Sequence, residues 1–309
     1  MGFDTIKRHG AAVFCGPALW KGFKTTTMTL GPLLLLLSAL LHAAWNGLAK
    51  ASKDKESFLF LTILLSGLLT AASLPISGTG FIFPDNRAFA IAVLSGVFEG
   101  FYFLTLSKAL RASSLGKSYA IMRGGAMVLV WMYSTVLLGE RAHGLQFLGA
   151  VFVLLGILAM NFQDLLKGKR QNLKNDIWAY ISAIFIAGYH LAYHEALTEN
   201  TDPKPLFLVA MIVSLPFLLY GIRSAPWQRL KATMTSHPAR VLLCGSFATA
   251  SFLIFLYGLK VSAPGFAISL RNSSIFFAVL FSVFLKESLT RTQILGATTI
   301  GLGALLLSL

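Results

Sequence analysis

Charge is scarce in this sequence. Only 12% of its 309 residues are Asp, Glu, Lys or Arg, where a soluble domain carries roughly 25%. Acidic residues are the scarcer sign, 12 against 26 Lys plus Arg. Sustained alternation of apolar and polar residues is also missing, which excludes a membrane β-barrel. Two cysteines, Cys15 and Cys244, are too few and too scattered for a disulfide framework or a cysteine metal cluster. No G-x-x-x-x-G-K-[ST] run occurs, which argues against a self-contained ATP-driven pump. No cofactor and no bound metal are expected.

What the chain has in abundance is apolar surface: 56% of its residues are hydrophobic, with a mean hydropathy of +0.72. A helix needs roughly 20 apolar residues to cross the hydrocarbon core. Continuous apolar runs meet that length only as helices, because a membrane leaves no backbone group to water. The window predicts ten crossings, near 30–50, 58–77, 88–108, 117–138, 144–162, 177–197, 205–222, 240–260, 265–285 and 291–309. The expected fold class is therefore an all-α integral membrane protein. The net charge of +14 does not point to nucleic acid, because the basic residues sit in the short gaps between runs. The expected partners are the lipid bilayer and a small-molecule substrate.

Residues 1–28 stand apart. "MGFDTIKRHG" is polar, and "AAVFCGPALW" is too short to span. Without a clear apolar core and cleavage site this is no signal peptide. It reads as a disordered tail, or as an over-extended start ahead of Met28.

The rest of the chain is doubled. "GERAHGLQFLGA" (139–150) matches "KESLTRTQILGA" (286–297) at an offset of 147, pairing Glu140 with Glu287 and Gln146 with Gln293. Arg123 aligns with Arg271, and "HAAWN" (42–46) with "HLAYH" (190–194), at an offset of 148. The first five-helix repeat covers 29–162 and the second 177–309, with a basic linker, "QDLLKGKRQNLKND", at 163–176. Two repeats of five helices insert in opposite orientations, so the halves are inverted. Inverted repeats place a binding site near the bilayer midplane. Loops after the odd helices hold sixteen Lys and Arg, and loops after the even helices four. The odd loops should face the cytoplasm, leaving both termini outside.

Few residues in the spans carry chemistry. Arg123 and Arg271 lie about two turns into their helices, where a buried arginine needs a partner or a wet cavity. They either brace neighbouring helix ends or contact the carboxylate, phosphate or phosphonate of a substrate. Glu99 lies near mid-depth in "SGVFEGFYFL" and is either paired with Arg123 or a proton-coupling group. His42 and His190 occupy matching positions, with Asn46 and His194 one turn on and Trp45 and Tyr193 beside them. Tyr119 opens the helix that carries Arg123. Histidines here can serve proton transfer or hydrogen-bond helix crossings. His190, His194 and Glu195 could hold one metal, but Leu191 stands where the metalloprotease signature needs Glu. Glu140 and Glu287 fall at helix ends, with capping or an ion pair to Arg141 or Lys286 expected. Gly96 and Gly100 form a G-x-x-x-G that lets helices approach.

From residue 30 to 309 the chain resembles the drug/metabolite transporter superfamily, in particular its EamA-type carriers. The marks are the doubled five-helix unit and the repeat endings "LLGE…LQFLGAVFVLLGI" and "FLKE…TQILGATTIGLGA". The resemblance implies transport of small metabolites, proton-coupled or by exchange. Many members carry proline after the position of Arg123, where Gly124-Gly125 and Asn272-Ser273 stand here, so the helix kink expected there is open. The leading expectation is a secondary transporter of the bacterial cytoplasmic membrane, not an enzyme, working as a monomer by alternating access. Arg123, Arg271, His42, Asn46, His190, His194, Trp45, Tyr119 and Tyr193 would bind an anionic or amino-acid-like solute, and Glu99 would couple protons. The alternative is an integral membrane metalloenzyme built on His190, His194 and Glu195.

Overall fold

The computed structural model describes residues 27–137, 139, 143–168, 170–261, 270–307 and 309. The tail up to residue 26, Glu140 and Arg141 lie outside the described residues. The first half comprises α1 (Thr27–Ala51), α2 (Lys55–Ile76), α3 (Asn86–Ala112), α4 (Leu115–Met132) and α5 (Gly144–Leu166). The second comprises α6 (Arg170–Thr198), α7 (Pro203–Gly221), a short α8 (Pro226–Ser236), α9 (Pro238–Val261), α10 (Ser274–Phe284) and α11 (Arg291–Leu306). Among the described residues there is no strand. Seven of these helices, α1 to α5, α7 and α9, are long and apolar enough to cross a membrane. The helix α6, the apolar run Leu270–Phe284 and α11 complete ten crossings.

Polar residues at the ends fix where each span starts. Asp54 caps α2 through the Ser57 N–H at 3.2 Å, and Asp85 caps α3 through the Ala88 N–H at 2.7 Å. Such caps satisfy helix donors that the membrane could not. The repeat mates Gln146 and Gln293 do the same job. Each accepts the backbone N–H three residues back, from His143 at 3.3 Å and from Thr290 at 3.0 Å. The polar stretch 163–176 is mostly helix, since α5 runs on to Leu166 and α6 begins at Arg170. Lys117 explains this: it is buried and holds Asp164 of α5 at 2.9 Å and Asp176 of α6 at 2.7 Å. Two carboxylates on one ammonium draw both helix ends inward.

The halves pack by one rule applied twice. α3 lies against α6 and α7, and α9 lies against α1 and α2. α5 crosses its own mate α11 at two glycine pairs. A Cβ on Gly149 would meet the Gly303 carbonyl at 2.7 Å, and one on Gly156 would meet the Gly296 carbonyl at 2.7 Å. Gly149 and Gly296 are repeat mates, as are Gly156 and Gly303. The early glycine of each helix thus meets the late glycine of the other, and equivalent helices run antiparallel. That is the inversion, seen in contacts. The G-x-x-x-G of α3 also packs tightly, with Gly96 against Ala210 and Gly100 against Phe217 of α7.

Polarity is inside-out. Leu154, Leu155, Leu158 and Phe147 are more than half exposed, while His42, Asn46, Glu99, Arg123 and Arg271 are buried. In lipid the apolar side chains face out and costly charges face the bundle interior. The two half-way breaks differ. α4 runs unbroken through Gly124 and Gly125, whereas the second half turns at Ser273 before α10.

Candidate functional site

Five elements bring polar side chains to one buried centre. α1 supplies Ser38, His42, Trp45 and Asn46; α4 supplies Tyr119 and Arg123. α6 supplies Tyr189, His190 and Tyr193, and α9 supplies Ser251, Phe252 and Phe255. Arg271 comes from the helical stretch just before the turn at Ser273 that leads into α10. These residues are buried, with His190 partly exposed.

His42 lies between the two arginines. Its Nε2 is hydrogen-bonded to Arg123 Nη2, and its Nδ1 is 2.9 Å from Arg271 Nη2. Arg123 Nη1 also reaches His190 Nε2 at 3.4 Å. Arg271 Nη1 donates to Ser38 Oγ at 2.9 Å and to the Ser251 carbonyl at 3.1 Å. Ser251 Oγ and Trp45 Nε1 each lie 3.3 Å from the same His42 Nδ1. The Arg271 guanidinium sits 4.1 Å from the Phe255 ring centre and 4.8 Å from that of Phe252.

The donors outnumber the acceptors. A guanidinium only donates, and a neutral imidazole has one N–H and one lone pair. His42 can therefore accept from one arginine only, and toward the other it must present its own N–H. Among the described residues neither guanidinium forms an ion pair with a carboxylate. Two cations are thus buried on a single shared neutral acceptor, a few serine and carbonyl oxygens and aromatic faces. An added anion would satisfy both.

The expected pairing of Glu99 with Arg123 does not form. Glu99 is fully buried on α3, and neither of its oxygens closes a hydrogen bond. Among the described residues it forms no ion pair with either arginine. Tyr193, Tyr189 and Tyr119 hydroxyls, Arg271 Nε and Asn46 Oδ1 are also buried without partners. Buried polar groups are normally hydrogen-bonded, so this concentration is unusual. Asn46 turns its amide back onto the His42 carbonyl at 2.8 Å.

The proposed metal cluster is not assembled. His190 faces Arg123, while Glu195 sits at the exposed end of α6 in an ion pair with Arg87. His194 is half-buried one turn beyond His190. Among the described residues no three His, Cys, Asp or Glu side chains converge to hold a metal. Glu287 has the expected capping role, though on a helix of the other half: it accepts the Leu115 N–H at 2.8 Å, and it pairs with Lys50 at 3.2 Å rather than with Lys286. Sequence reasoning missed Ser38, Tyr189, Ser251, Phe252 and Phe255. Tyr189 had a signal, being next to His190; the serines had none, since small hydroxyls are common at helix crossings.

The model of the "EamA-like transporter family" matches residues 29–162 and again 173–309. "Quaternary ammonium compound-resistance protein QacE" of Escherichia coli is 28% identical over 106 residues, 34% of this chain and 92% of that one. QacF of Klebsiella aerogenes, described in the same words, matches at 28% over the same shares. A solved structure described only as "Crystal structure of protein" superposes with a TM-score of 0.60 at 14% identity. It covers 92% of this chain and 96% of that one, a likeness of fold alone.

Proposed function

We propose, from the premise that this chain belongs to the EamA-like transporter family, that it moves a small anionic solute by alternating access. The chain is a multi-pass membrane protein. Its cargo would sit between the inverted halves, with Arg123 and Arg271 as the anion contacts. Tyr119, Tyr193, Trp45 and Asn46 would wall the site, with His42 and His190 spacing the two guanidiniums and His194 one turn beyond. The single observation that carries this reading is the shared histidine: two buried guanidiniums that meet on His42, with only neutral acceptors around them, leave a place for negative charge.

The lysine and arginine distribution over the loops supports both termini lying outside, and the family suits the cytoplasmic membrane of a bacterium. Two fused halves supply what a single five-helix unit would need from a partner, which supports a working monomer. Glu99 would couple transport to protons, because ionisable side chains inside a span mark proton relays, and this one closes no hydrogen bond or ion pair.

A second reading is favoured by Glu99 itself. A buried carboxylate without a partner would suit an organic cation, and the two Qac relatives are named for quaternary ammonium compounds. One experiment separates the readings. Purified protein is screened by thermal shift against small anions, amino acids and organic cations, beside Arg123→Gln, Arg271→Gln and Glu99→Gln. Stabilisation by an anion that vanishes in either arginine variant supports the first reading. Stabilisation by a cation that vanishes only in Glu99→Gln overturns it in favour of the second.

A further inference from the structure

Away from the central cluster, a groove of about 260 Å³ runs between α3 and α7, lined by Phe101, Leu104, Pro216, Phe217 and Tyr220. Its walls are fixed. Phe217 lies over Gly100, where a Cβ would come within 2.5 Å of the ring. Phe101 packs edge-on against Phe217 at 4.8 Å between centroids and stacks on Phe185 at 5.0 Å. The groove faces outward: Phe101 is 40% exposed and Tyr220 64%. Pro216 adds to the gap, because it has no N–H to close the helix turn behind it.

The groove lies at the end of α7. Leu104 is level with Gly221, whose Cβ would meet it at 3.0 Å, and Phe101 lies three residues deeper, about 4.5 Å along the helix. Tyr220 is the next-to-last residue of α7, so the groove opens at that helix end.

A cation stands at that mouth. Arg223 follows α7 directly and its guanidinium sits 4.5 Å from the centre of the Tyr220 ring. Among the described residues it has no carboxylate partner. The stretch 222–240 contains no Asp or Glu. It holds α8, which packs on α2 and α9 and pairs its Arg229 with Asp54 and Glu56. Trp227 on α8 is 79% exposed, and Lys231 projects from the same helix into solvent. Exposed tryptophan and unpaired cations are what a helix at the headgroup level carries.

We propose that this groove is a binding site for an anionic phospholipid. One acyl chain lies along Phe101, Leu104, Phe217 and Tyr220, and the phosphate rests on Arg223. Lys231 and Trp227 on α8 meet the rest of the headgroup. The site is separate from the transported solute and does not depend on it.

The test uses the full chain in a neutral detergent. Thermal unfolding is followed with phosphatidylglycerol, with phosphatidylcholine of the same chains, and with glycerol 3-phosphate as the soluble headgroup. Phosphatidylglycerol is expected to raise the midpoint above phosphatidylcholine by about 3 °C, the scale of a ligand well above its Kd. Glycerol 3-phosphate alone should give no shift. Arg223→Gln, at an exposed position, should erase the difference between the lipids. Leu104→Trp, which fills the groove and keeps the cation, should lower the response to both, with its helix content checked by circular dichroism. Equal shifts from the two lipids would overturn the proposal, as would an advantage that survives Arg223→Gln or a shift from glycerol 3-phosphate alone. So would a dimer seen by light scattering that Leu104→Trp splits, which would give the groove to a second copy.

Discussion

Glu287 and Lys50 come from opposite halves of the chain and meet at 3.2 Å, on the side of the molecule that carries the odd-numbered loops. The same carboxylate receives the Leu115 N–H of α4 at 2.8 Å, and the next N–H, from Gly116, goes to Ser282 Oγ at 2.7 Å. Side chains of the second half thus cap a helix of the first. Glu287→Ala should cost about 1–3 kcal/mol, because it strands the Leu115 N–H and leaves Lys50 only the Leu110 and Ser113 carbonyls. A cysteine placed at Ser282, in a background without Cys15 and Cys244, should then react faster with a membrane-impermeant maleimide. An unchanged labelling rate would mean that this contact does not hold the face shut.

Removing the shared acceptor is the sharpest test of the centre. His42→Ala leaves Arg123 and Arg271 facing each other across a gap. Removing a neutral acceptor so that buried donors are left unsatisfied costs roughly 1–3 kcal/mol. The variant should unfold at a markedly lower temperature, and a bound anion should stabilise it more than it stabilises the unmodified protein. Thermal shift with chloride, acetate and phosphate measures both. Equal anion responses in the two proteins would mean that His42 is a helix-crossing glue.

The glycine crossing of α5 and α11 gives a prediction with a built-in control. Gly149→Ala and Gly296→Ala are the same change at repeat mates, each driving a Cβ to 2.7 Å from a carbonyl. Overpacking of this kind costs about 1–3 kcal/mol. Both variants should lose stability by similar amounts in detergent unfolding. A loss at one site only would show that the crossing is not symmetric in energy.

Acid should loosen the junction of the α1–α2 loop with α8. Burial pushes the Asp54 carboxyl up, but the two-pronged Arg229 contact at 2.7 Å and the Ser57 bonds outweigh it and hold its pKa below the usual carboxylate value. A depressed pKa means stability that is present above the unfolded value near ~3.9 and lost as pH falls through the folded one. Stability should therefore fall below about pH 4 in the unmodified chain, and Asp54→Asn should flatten that part of the profile. Thermal midpoints from pH 7 to pH 3 check it.

Much of this architecture was legible before any coordinates. Run length gave the crossings, and the offsets between Glu140 and Glu287 and between Arg123 and Arg271 gave the duplication. The odd number of helices then fixed the inversion. Sequence also put His42, His190, Arg123 and Arg271 in one group, since each is a costly residue at matched depth. It could not say which faces meet. Arg123 and Glu99 sit on consecutive helices, yet the arginine turns to α1 and α6 while the carboxylate closes no hydrogen bond. Rotation of a helix about its own axis follows from packing, and hydropathy carries little of it. The crossing expected at 144–162 matches the apolar span Gly144–Phe162, while α5 itself runs on to Leu166, because Lys117 neutralises Asp164 and Asp176 beyond it.

The meeting of α5 with α11 looks the same from either side of the bilayer. A tilt of the halves about that post toward one compartment has a counterpart toward the other with the same glycine contacts. The post then sets no preference between the two positions. Any bias must come from features without a mate, such as Lys50 on Glu287 or Arg229 on Asp54.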